Sequence, residues 1–213
     1  AASDVYKRQG LCSTKINTKG EKIMFKLVSP TLEYKEKAID FINEFYEYKS
    51  DINGVGGLYR YLDDYEGWLE KLENDKKQPV TEERVPAETF FLVREEDDKI
   101  VGMINIRLAL NEKFKKINGN IGYSIRPTER GKGYNNINLY LGLKKCKEYG
   151  IKDVLLTVDK DNLPSKKTIL RFSPRYESEY FDEDNHNCII QLYWINVEDG
   201  IKLWEKSLEE EER

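Results

Sequence analysis

The sequence predicts a mixed α/β domain with one mostly antiparallel sheet of about six or seven strands and about four helices. Short runs rich in β-branched and aromatic residues, several of them joined by polar turns, indicate the sheet. Elsewhere, apolar residues recur with the period of an α-helix, which indicates a layer of helices. At 213 residues the chain has the length of one domain with a sizeable core.

The first part of the chain is predicted to contain one strand and two helices. Residues 24–29 form a short strand. Apolar residues recur at helical spacing over 32–48, and Thr31 stands at the position of a helix cap. Residues 50–57 form a glycine-rich turn, and the helical pattern returns over 58–74. The apolar stripe of each helix is expected to pack in the core.

The later strands make up most of the predicted sheet. They are expected at 89–94, 99–107, 120–126, 151–158, 176–181 and 188–197. Polar turns join the first two and the last two of these strands into hairpins. A long helix over about 133–149 ends at Gly150, and a short helix covers 166–172.

A glycine-rich turn, Arg130-Gly131-Lys132-Gly133-Tyr134, joins the strand at 120–126 to the long helix. The first N–H groups of a helix have no partner within the helix, and the helix dipole adds partial positive charge there. The turn is therefore predicted to bind an anion, best a phosphate or pyrophosphate. An ordinary strand–helix connection that binds nothing is the alternative.

Two kinds of phosphate loop fit this turn poorly. A P-loop needs Ser or Thr after its lysine, but Gly133 follows Lys132. A dinucleotide fingerprint needs a third glycine where Asn136 stands.

The pattern Arg130-x-x-Gly133-x-Asn135 instead resembles the acyl-CoA loop of the GCN5-related N-acetyltransferase (GNAT) superfamily. Asn135 departs from the Gly or Ala of that family, and we expect it to narrow the site or to add an amide contact. Asn162 and Ser165 match the Asn-x-x-Ser that follows the next strand in the family, although Asn162 also suits a plain turn. The resemblance spans roughly residues 24–197.

The resemblance implies a sheet splayed between its fourth and fifth strands, which begin near Ile121 and Ile151. Acetyl-CoA is then the cosubstrate, its arm lies in the gap, and no metal is needed. The implied cofactor-binding residues are Tyr123, Ser124, Ile125, Arg130, Gly131, Lys132, Gly133, Tyr134, Asn135, Asn162 and Ser165.

The implied reaction is transfer of an acetyl group from acetyl-CoA to an amine of a small molecule or peptide. A protonated amine must lose a proton, and Glu112 is the first candidate base and Tyr123 the second. A surface glutamate and a core tyrosine are the structural alternatives. Ile169 stands where many family members have a tyrosine acid. Together with Asn135, it leaves a catalytically silent acyl-CoA-binding module as the alternative function.

Charged residues are unevenly distributed around the glycine-rich turn. Between 113 and 133 the basic residues, against Glu129 alone, are Lys113, Lys115, Lys116, Arg126, Arg130 and Lys132. Such a patch suits a polyanion such as CoA. Two acidic clusters are predicted to attract a cationic amine or to be ordinary solvated surface; they contain Asp63, Asp64 and Glu66, and Asp182, Glu183 and Asp184.

The composition excludes several other classes of protein. Cys12, Cys146 and Cys188 are widely spaced and His186 is the sole histidine, so structural zinc and a disulfide framework are not expected. This pattern predicts a reducing cytoplasm. The net charge of −4 disfavours a nucleic-acid partner, and no apolar stretch predicts a membrane span. A homodimer is compatible with the resemblance.

Both ends of the chain are predicted to lie outside the catalytic domain, which covers 24–197. Residues 1–23 look like a non-native leader, because 4–9 match a translated sequencing adaptor and 19–21 a translated bacterial ribosome-binding site. Met24 is then the natural start, and the source is a bacterium. Residues 198–213 are predicted to be an acidic, solvated tail.

Overall fold

The computed structural model describes residues 13–18, 21–183 and 187–211, in which eight strands form two antiparallel sheets. The strands are β1 (Ser13–Thr18), β2 (Glu21–Val28), β3 (Ala87–Arg94), β4 (Lys99–Arg107), β5 (Ile121–Ile125), β6 (Asp153–Asp159), β7 (Arg175–Asp182) and β8 (Cys188–Asn196). The first sheet has the order β1-β2-β3-β4-β5 and the second the order β6-β8-β7. The mixed α/β class and the antiparallel pairing are confirmed.

Helices cover both faces of the first sheet. The helices of the described structure are α1 (Lys35–Glu47), α2 (Tyr65–Lys77), α3 (Glu112–Ile117), α4 (Tyr134–Glu148), α5 (Leu163–Leu170) and α6 (Val197–Glu211). Of these, α1, α2 and α4 contact the strands of the first sheet, whereas α3, α5 and α6 contact those of the second. Phe41 of α1 and Trp68 of α2 are fully buried against Phe91 of β3 on one face. Leu139 and Leu143 of α4 are fully buried in the core of the other face. No helix within the described ranges is long and apolar enough to cross a bilayer.

The two sheets meet at the beginning of β5 and separate beyond it. The N–H of Asn120 donates to the carbonyl of Leu155 in β6 at 2.6 Å, and the N–H of Leu155 donates to Asn120 Oδ1 at 2.8 Å. A Cβ at Gly119 would lie 2.3 Å from the same Leu155 oxygen, so the two backbones are in direct contact here. β5 and β6 then belong to different sheets. The predicted splay between the Ile121 and Ile151 strands is confirmed.

The first two helices begin later than predicted. Residues 32–34 form a 3₁₀ turn before α1, and the Thr31 side chain makes no capping hydrogen bond, so its prediction as a cap was wrong. The carbonyl of Thr31 instead accepts from the Tyr65 hydroxyl at 3.1 Å. In the second helix the cap is Asp64, whose carboxylate accepts the N–H of Gly67 at 3.0 Å. An acidic side chain that satisfies a first-turn N–H fixes the start of α2 there.

The predicted acidic tail is largely a packed helix. The apolar residues of α6 recur at Val197, Ile201, Trp204 and Leu208, which form one face of a helix. Three of them are buried, and Trp204 stacks on Phe172 at 5.6 Å between ring centroids. Charged residues occupy the opposite face of α6. Their number made the segment resemble a solvated tail, although its apolar residues recur at helical spacing.

The predicted leader lies partly outside the described residues, which omit 1–12 and 19–20. Its residues 13–18 form β1, which pairs antiparallel with β2. That the natural protein starts at Met24 stays a prediction.

Candidate active site

A cleft of about 680 Å³ lies between β5, the start of α4 and α5. Most of the predicted cofactor-binding residues line it, namely Tyr123, Ser124, Ile125, Arg130, Gly131, Gly133, Tyr134, Asn135, Asn162 and Ser165. The splay of the two sheets opens this space, because β6 has no strand ladder with β5.

The glycine-rich turn forms an open cradle at the N-terminus of α4. Gly131 and Gly133 have φ values of +76° and +80°, a region that favours glycine. A Cβ at Gly131 would meet no atom within 4 Å, and one at Gly133 would meet only Asn136 Nδ2 at 3.7 Å. The unpaired N–H groups of the first turn of a long helix therefore border open space. This arrangement suits a phosphate or pyrophosphate.

Arg130 attaches this turn to the rest of the site. Its Nε donates to the carbonyl of Ile125 at 3.1 Å, and its Nη2 donates to Ser50 Oγ at 2.8 Å. The guanidinium also lies 5.4 Å from the centroid of the Phe45 ring. The side chain has no carboxylate partner among the described residues, so its charge is available at the mouth of the cleft.

Glu129, just before the turn, is a buried carboxylate surrounded by cations. It pairs with Lys132 at 2.7 Å and with Lys99 and Arg94 at 3.1 Å each. Burial favours its neutral form, but the hydrogen bonds and ion pairs outweigh it and lower the pKa of Glu129 to about 2. Lys132 is thus turned toward Glu129 and does not line the cleft.

Glu129 is expected to make stability depend on pH. Its pKa is lower in the folded protein, so its ion pairs stabilise the fold above about pH 4.5, and this stabilisation is lost as the pH falls toward about 2. The difference in unfolding free energy between wild type and Glu129→Gln should be about 3 kcal/mol near neutral pH and shrink in acid. Urea unfolding at several values from about pH 6 to about pH 3 measures this difference. A difference that does not vary with pH would contradict the assignment.

The predicted basic patch is mostly neutralised by ion pairs, which corrects its role. Lys113 and Lys115 pair with Glu83 and Glu112, and Arg126 pairs with Asp40 and Glu44. Folding brings carboxylates from distant parts of the chain next to these cations, so charges that look unpaired in the sequence are paired in the structure. Within the described structure, Arg130 is the one residue of the basic patch that lines the cleft.

Two cations that the sequence analysis missed line the cleft from α5. Lys167 and Arg171 are four residues apart, which places them on one side of the helix, and neither has an ion pair in the described structure. Asn162 begins this helix, since its Oδ1 accepts the N–H of Ser165 at 3.1 Å. The i, i+4 spacing of the cations is the signal that would have found them.

Polar side chains connect β5, α4 and α5 inside the cleft. The Tyr123 hydroxyl lies 2.8 Å from Ser165 Oγ. Asn135 Nδ2 donates to Thr168 Oγ1 at 3.2 Å, while Asn135 Oδ1 is buried without a partner among the described residues. The amide that replaces the small residue of the family thus joins α4 to α5 and leaves one acceptor atom unpaired.

The Tyr123 hydroxyl is a proton donor at neutral pH. Burial raises the pKa of Tyr123 to about 12, although the hydrogen bond with Ser165 opposes this shift. A general base would need the opposite shift. A raised pKa thus suits Tyr123 to donate a hydrogen bond, and its role as the base stays a prediction.

The outer edge of β5 presents backbone groups to the cleft. The N–H of Arg126 donates to the carbonyl of Val101 at 2.9 Å, and the carbonyl of Asn120 accepts from the N–H of Arg107 at 2.7 Å. The backbone N–H and C=O groups of the even-numbered residues of β5 therefore point toward β4. Backbone groups alternate along a strand, so Tyr123 and Ile125 face the open edge. An extended amide-containing chain can pair with this edge as an added strand does.

A loop from the first half of the chain lies across β5. Ser50, Asp51 and Asn53 line the cleft. The resemblance implied that the segment between the first two helices borders the acceptor site, but it named none of these residues. The N–H of Asn53 donates to Ser124 Oγ at 3.0 Å. A Cβ at Gly54 would lie 2.3 Å from the carbonyl carbon of β5 residue 122, so the loop and the strand touch backbone to backbone.

The predicted base and the acidic clusters lie apart from the cleft lining. Glu112 is the first residue of α3, its side chain is 88% exposed, and it pairs with Lys115. That ion pair lowers the pKa of Glu112. Asp64 caps α2, and Asp182 is buried. The other described residues of these clusters do not line the cleft either, whereas Asp184, like His186, falls outside the described residues.

Comparison with known proteins shows that the sequence matches a family model and that the fold is similar to those of solved structures. The Acetyltransferase (GNAT) family model matches residues 56–173, whereas no curated protein matches the sequence. RimJ from Mycobacterium smegmatis in complex with CoA-disulfide is similar, with a TM-score of 0.65 and 14% identity over 92% of this chain and 94% of that chain.

Two further solved structures share this fold. The microcin self-immunity acetyltransferase MccE, in complex with acetyl-CoA and AMP, has a TM-score of 0.57 and 19% identity over 81% of this chain and 92% of its own. A chimera of the spermidine N-acetyltransferase SpeG from Vibrio cholerae has a TM-score of 0.59 and 13% identity over 83% of this chain and 98% of its own.

Proposed function

This chain belongs to the GNAT acetyltransferase family and is an acyltransferase by that membership, and we propose that it transfers an acetyl group from acetyl-CoA to an amine of a small molecule or peptide. One observation carries the proposal: the open, glycine-lined N-terminus of α4 lies at the mouth of the gap between β5 and β6. Two of the structures that share the fold contain acetyl-CoA or a form of CoA.

The chain offers distinct groups to each part of acetyl-CoA. The N–H groups of the turn at 131–135, with Arg130, bind the pyrophosphate. The open edge of β5 at Tyr123 and Ile125 pairs with the amides of the pantetheine arm. The Ile125 carbonyl, which accepts from Arg130 Nε, has a second lone pair for such a bond. Lys167 and Arg171 lie where they can meet the ribose phosphate.

The chemistry needs little beyond positioning and a hydrogen-bond donor. The amine nitrogen attacks the thioester carbon, and a backbone N–H of β5 stabilises the oxyanion. The carbon–sulfur bond then breaks, and the thiolate is a fair leaving group because a thiol has a pKa of about 8.5. The Tyr123 hydroxyl, held by Ser165, donates a hydrogen bond to the departing sulfur. The amine loses its proton to a base, for which Glu112 stays a proposal.

Release of free thiol from acetyl-CoA across a panel of amines tests the proposal. We expect thiol release that depends on the amine and saturates with it, together with an acetylated product in the mass spectrum. Binding of acetyl-CoA with only background hydrolysis would instead support the silent acyl-CoA-binding module. Ile169, 1% exposed at the position of the family's tyrosine acid, is the observation that favours this alternative.

Lys167 and Arg171 are expected to contribute affinity through the ribose phosphate. Replacing both with glutamine should weaken CoA binding about fivefold, a modest effect because both side chains are exposed. The double variant should bind dephospho-CoA as tightly as the wild type does. Calorimetric titration measures both affinities, with the exposed Arg175→Gln as control. Equal weakening toward both ligands would contradict the placement.

We further propose a cytoplasmic location, since Cys146 and Cys188 are free thiols.

A further inference from the structure

We propose that the amine acceptor carries a carboxylate and that Arg107 binds it, so that the substrate class is amino acids or peptides with a carboxylate near the reacting amine. This inference rests on the proposed function and names its acceptor.

Arg107, the last residue of β4, lacks the counter-charge that its environment calls for. Three arginines of the described structure are not exposed: Arg126 is buried, and Arg94 and Arg107 are half-buried. Arg94 pairs with Asp97 and Glu129, and Arg126 also has two carboxylate partners. Arg107 has none in the described part of the chain. A shielded charge is usually paired, so this exception requires a reason.

The hydrogen bonds of Arg107 leave most of its guanidinium free. Nη1 donates to the carbonyls of Asn118 and Gly119 at 3.3 and 3.2 Å, and the group lies 5.5 Å from the centroid of the Phe114 ring. A guanidinium carries five N–H donors. Those on Nε and Nη2 have no protein acceptor in the described structure. Burial also lowers the pKa of Arg107 to about 10.

The guanidinium lies at the end of β5 that the cofactor leaves free. Arg107 Nη1 is 3.9 Å from the point where a Cβ at Gly122 would lie, and Gly54 of the crossing loop is 3.3 Å from that point. Gly122 is near the beginning of β5, whereas the anion cradle follows its other end. A cofactor arm that enters from the cradle brings its thioester toward Gly122. An acceptor then meets the thioester close to Arg107.

A carboxylate is the group that this position fits best. The free N–H groups of a guanidinium match the two oxygens of a carboxylate in a bidentate pair, and such pairs are strong where water is excluded. Two arginines with no ion pair in the described structure, Arg130 and Arg107, thus serve the two ends of β5. Arg130 meets the phosphates of the donor, and Arg107 meets the anion of the acceptor.

Steady-state acetylation of matched acceptors tests this assignment. The acceptors are amino acids and dipeptides with a free carboxylate and the same compounds as amides. We expect the wild type to favour the carboxylate form by tenfold or more in kcat/KM. Arg107→Gln, which removes the charge and keeps an amide donor, should lose this preference while it keeps the activity toward the amides. Arg107→Lys should keep part of the preference, and the exposed Arg84→Gln should keep all of it.

A binding measurement separates this inference from the proposed function. Calorimetry with CoA present measures affinity for a carboxylate-bearing amine even if no acetyl group is transferred. Carboxylate-dependent binding that is lost in Arg107→Gln supports the inference in either case. Turnover of amines with no carboxylate preference, or equal losses on both acceptor forms, would overturn it and leave the proposed function standing. The same losses would be expected if Arg107 only ordered the turn at 118–119.

Discussion

Replacing Gly133 with valine is expected to weaken acetyl-CoA binding by about a hundredfold or more, which corresponds to about 2.7 kcal/mol. Gly133 has a φ of +80° and borders open space at the N-terminus of α4. A branched side chain there both strains the backbone and fills the position that the pyrophosphate takes. Calorimetric titration with acetyl-CoA measures the loss.

Gly150 provides a matched control at the other end of the same helix. Its φ is +73°, and a Cβ there would also meet no atom within 4 Å. Gly150→Val therefore imposes a similar backbone strain, of about 1–2 kcal/mol, but lies away from the cleft. Both variants should lose similar thermal stability, and Gly133→Val alone should lose affinity. Unchanged affinity in Gly133→Val would show that the cradle is misplaced.

Replacing Gly54 with alanine is expected to lower the rate of acetyl transfer about a hundredfold. The added Cβ would lie 2.3 Å from backbone atoms of Gly122 and 2.4 Å from the nitrogen of Tyr123. Backbone atoms of a central strand cannot move aside, so the loop at 51–57 must lift from β5. The hydrogen bond between Asn53 and Ser124 would then break, and the wall of the cleft would shift by an ångström or more. The thiol-release assay measures the change in rate.

Gly57→Ala is the control for this loop. Gly57 has a φ of +79°, but its Cβ would meet only Lys71 Nζ at 4.0 Å. The two substitutions thus share the loop and the backbone strain and differ in the clash with β5. We expect Gly57→Ala to keep most of the transfer rate. Similar rates in both variants would mean that contact between loop and strand does not shape the site.

The sequence predicted the parts of the fold that depend on local signals. β3, β4 and the turn between them follow from two apolar runs around an acidic tetrapeptide, and the structure places β4 over the same residues as predicted. The start of α4 follows from Gly133. In α6, charged residues separate the apolar positions, and the acidic end of this segment led to its prediction as a solvated tail although its apolar residues recur at helical spacing.

The candidate site was predictable where its residues are close in the chain. The turn at 130–135 and the pair Asn162 and Ser165 carry recognisable motifs, and most of these residues line one cleft. The contact of Gly54 with Gly122 joins two segments that no local pattern connects. Lys132 was predicted to bind the cofactor but pairs with Glu129. Glu129 is three residues away and faces Lys132 only once the turn has folded.

A crystal structure of the complex with acetyl-CoA tests the central claim most directly. We predict that the pyrophosphate lies within hydrogen-bond distance of the backbone N–H groups at 131–135, with the arm along the free edge of β5 and the thioester near Gly122. Acetyl-CoA bound elsewhere on the protein, or a cleft that stays empty at saturating ligand, would contradict the account.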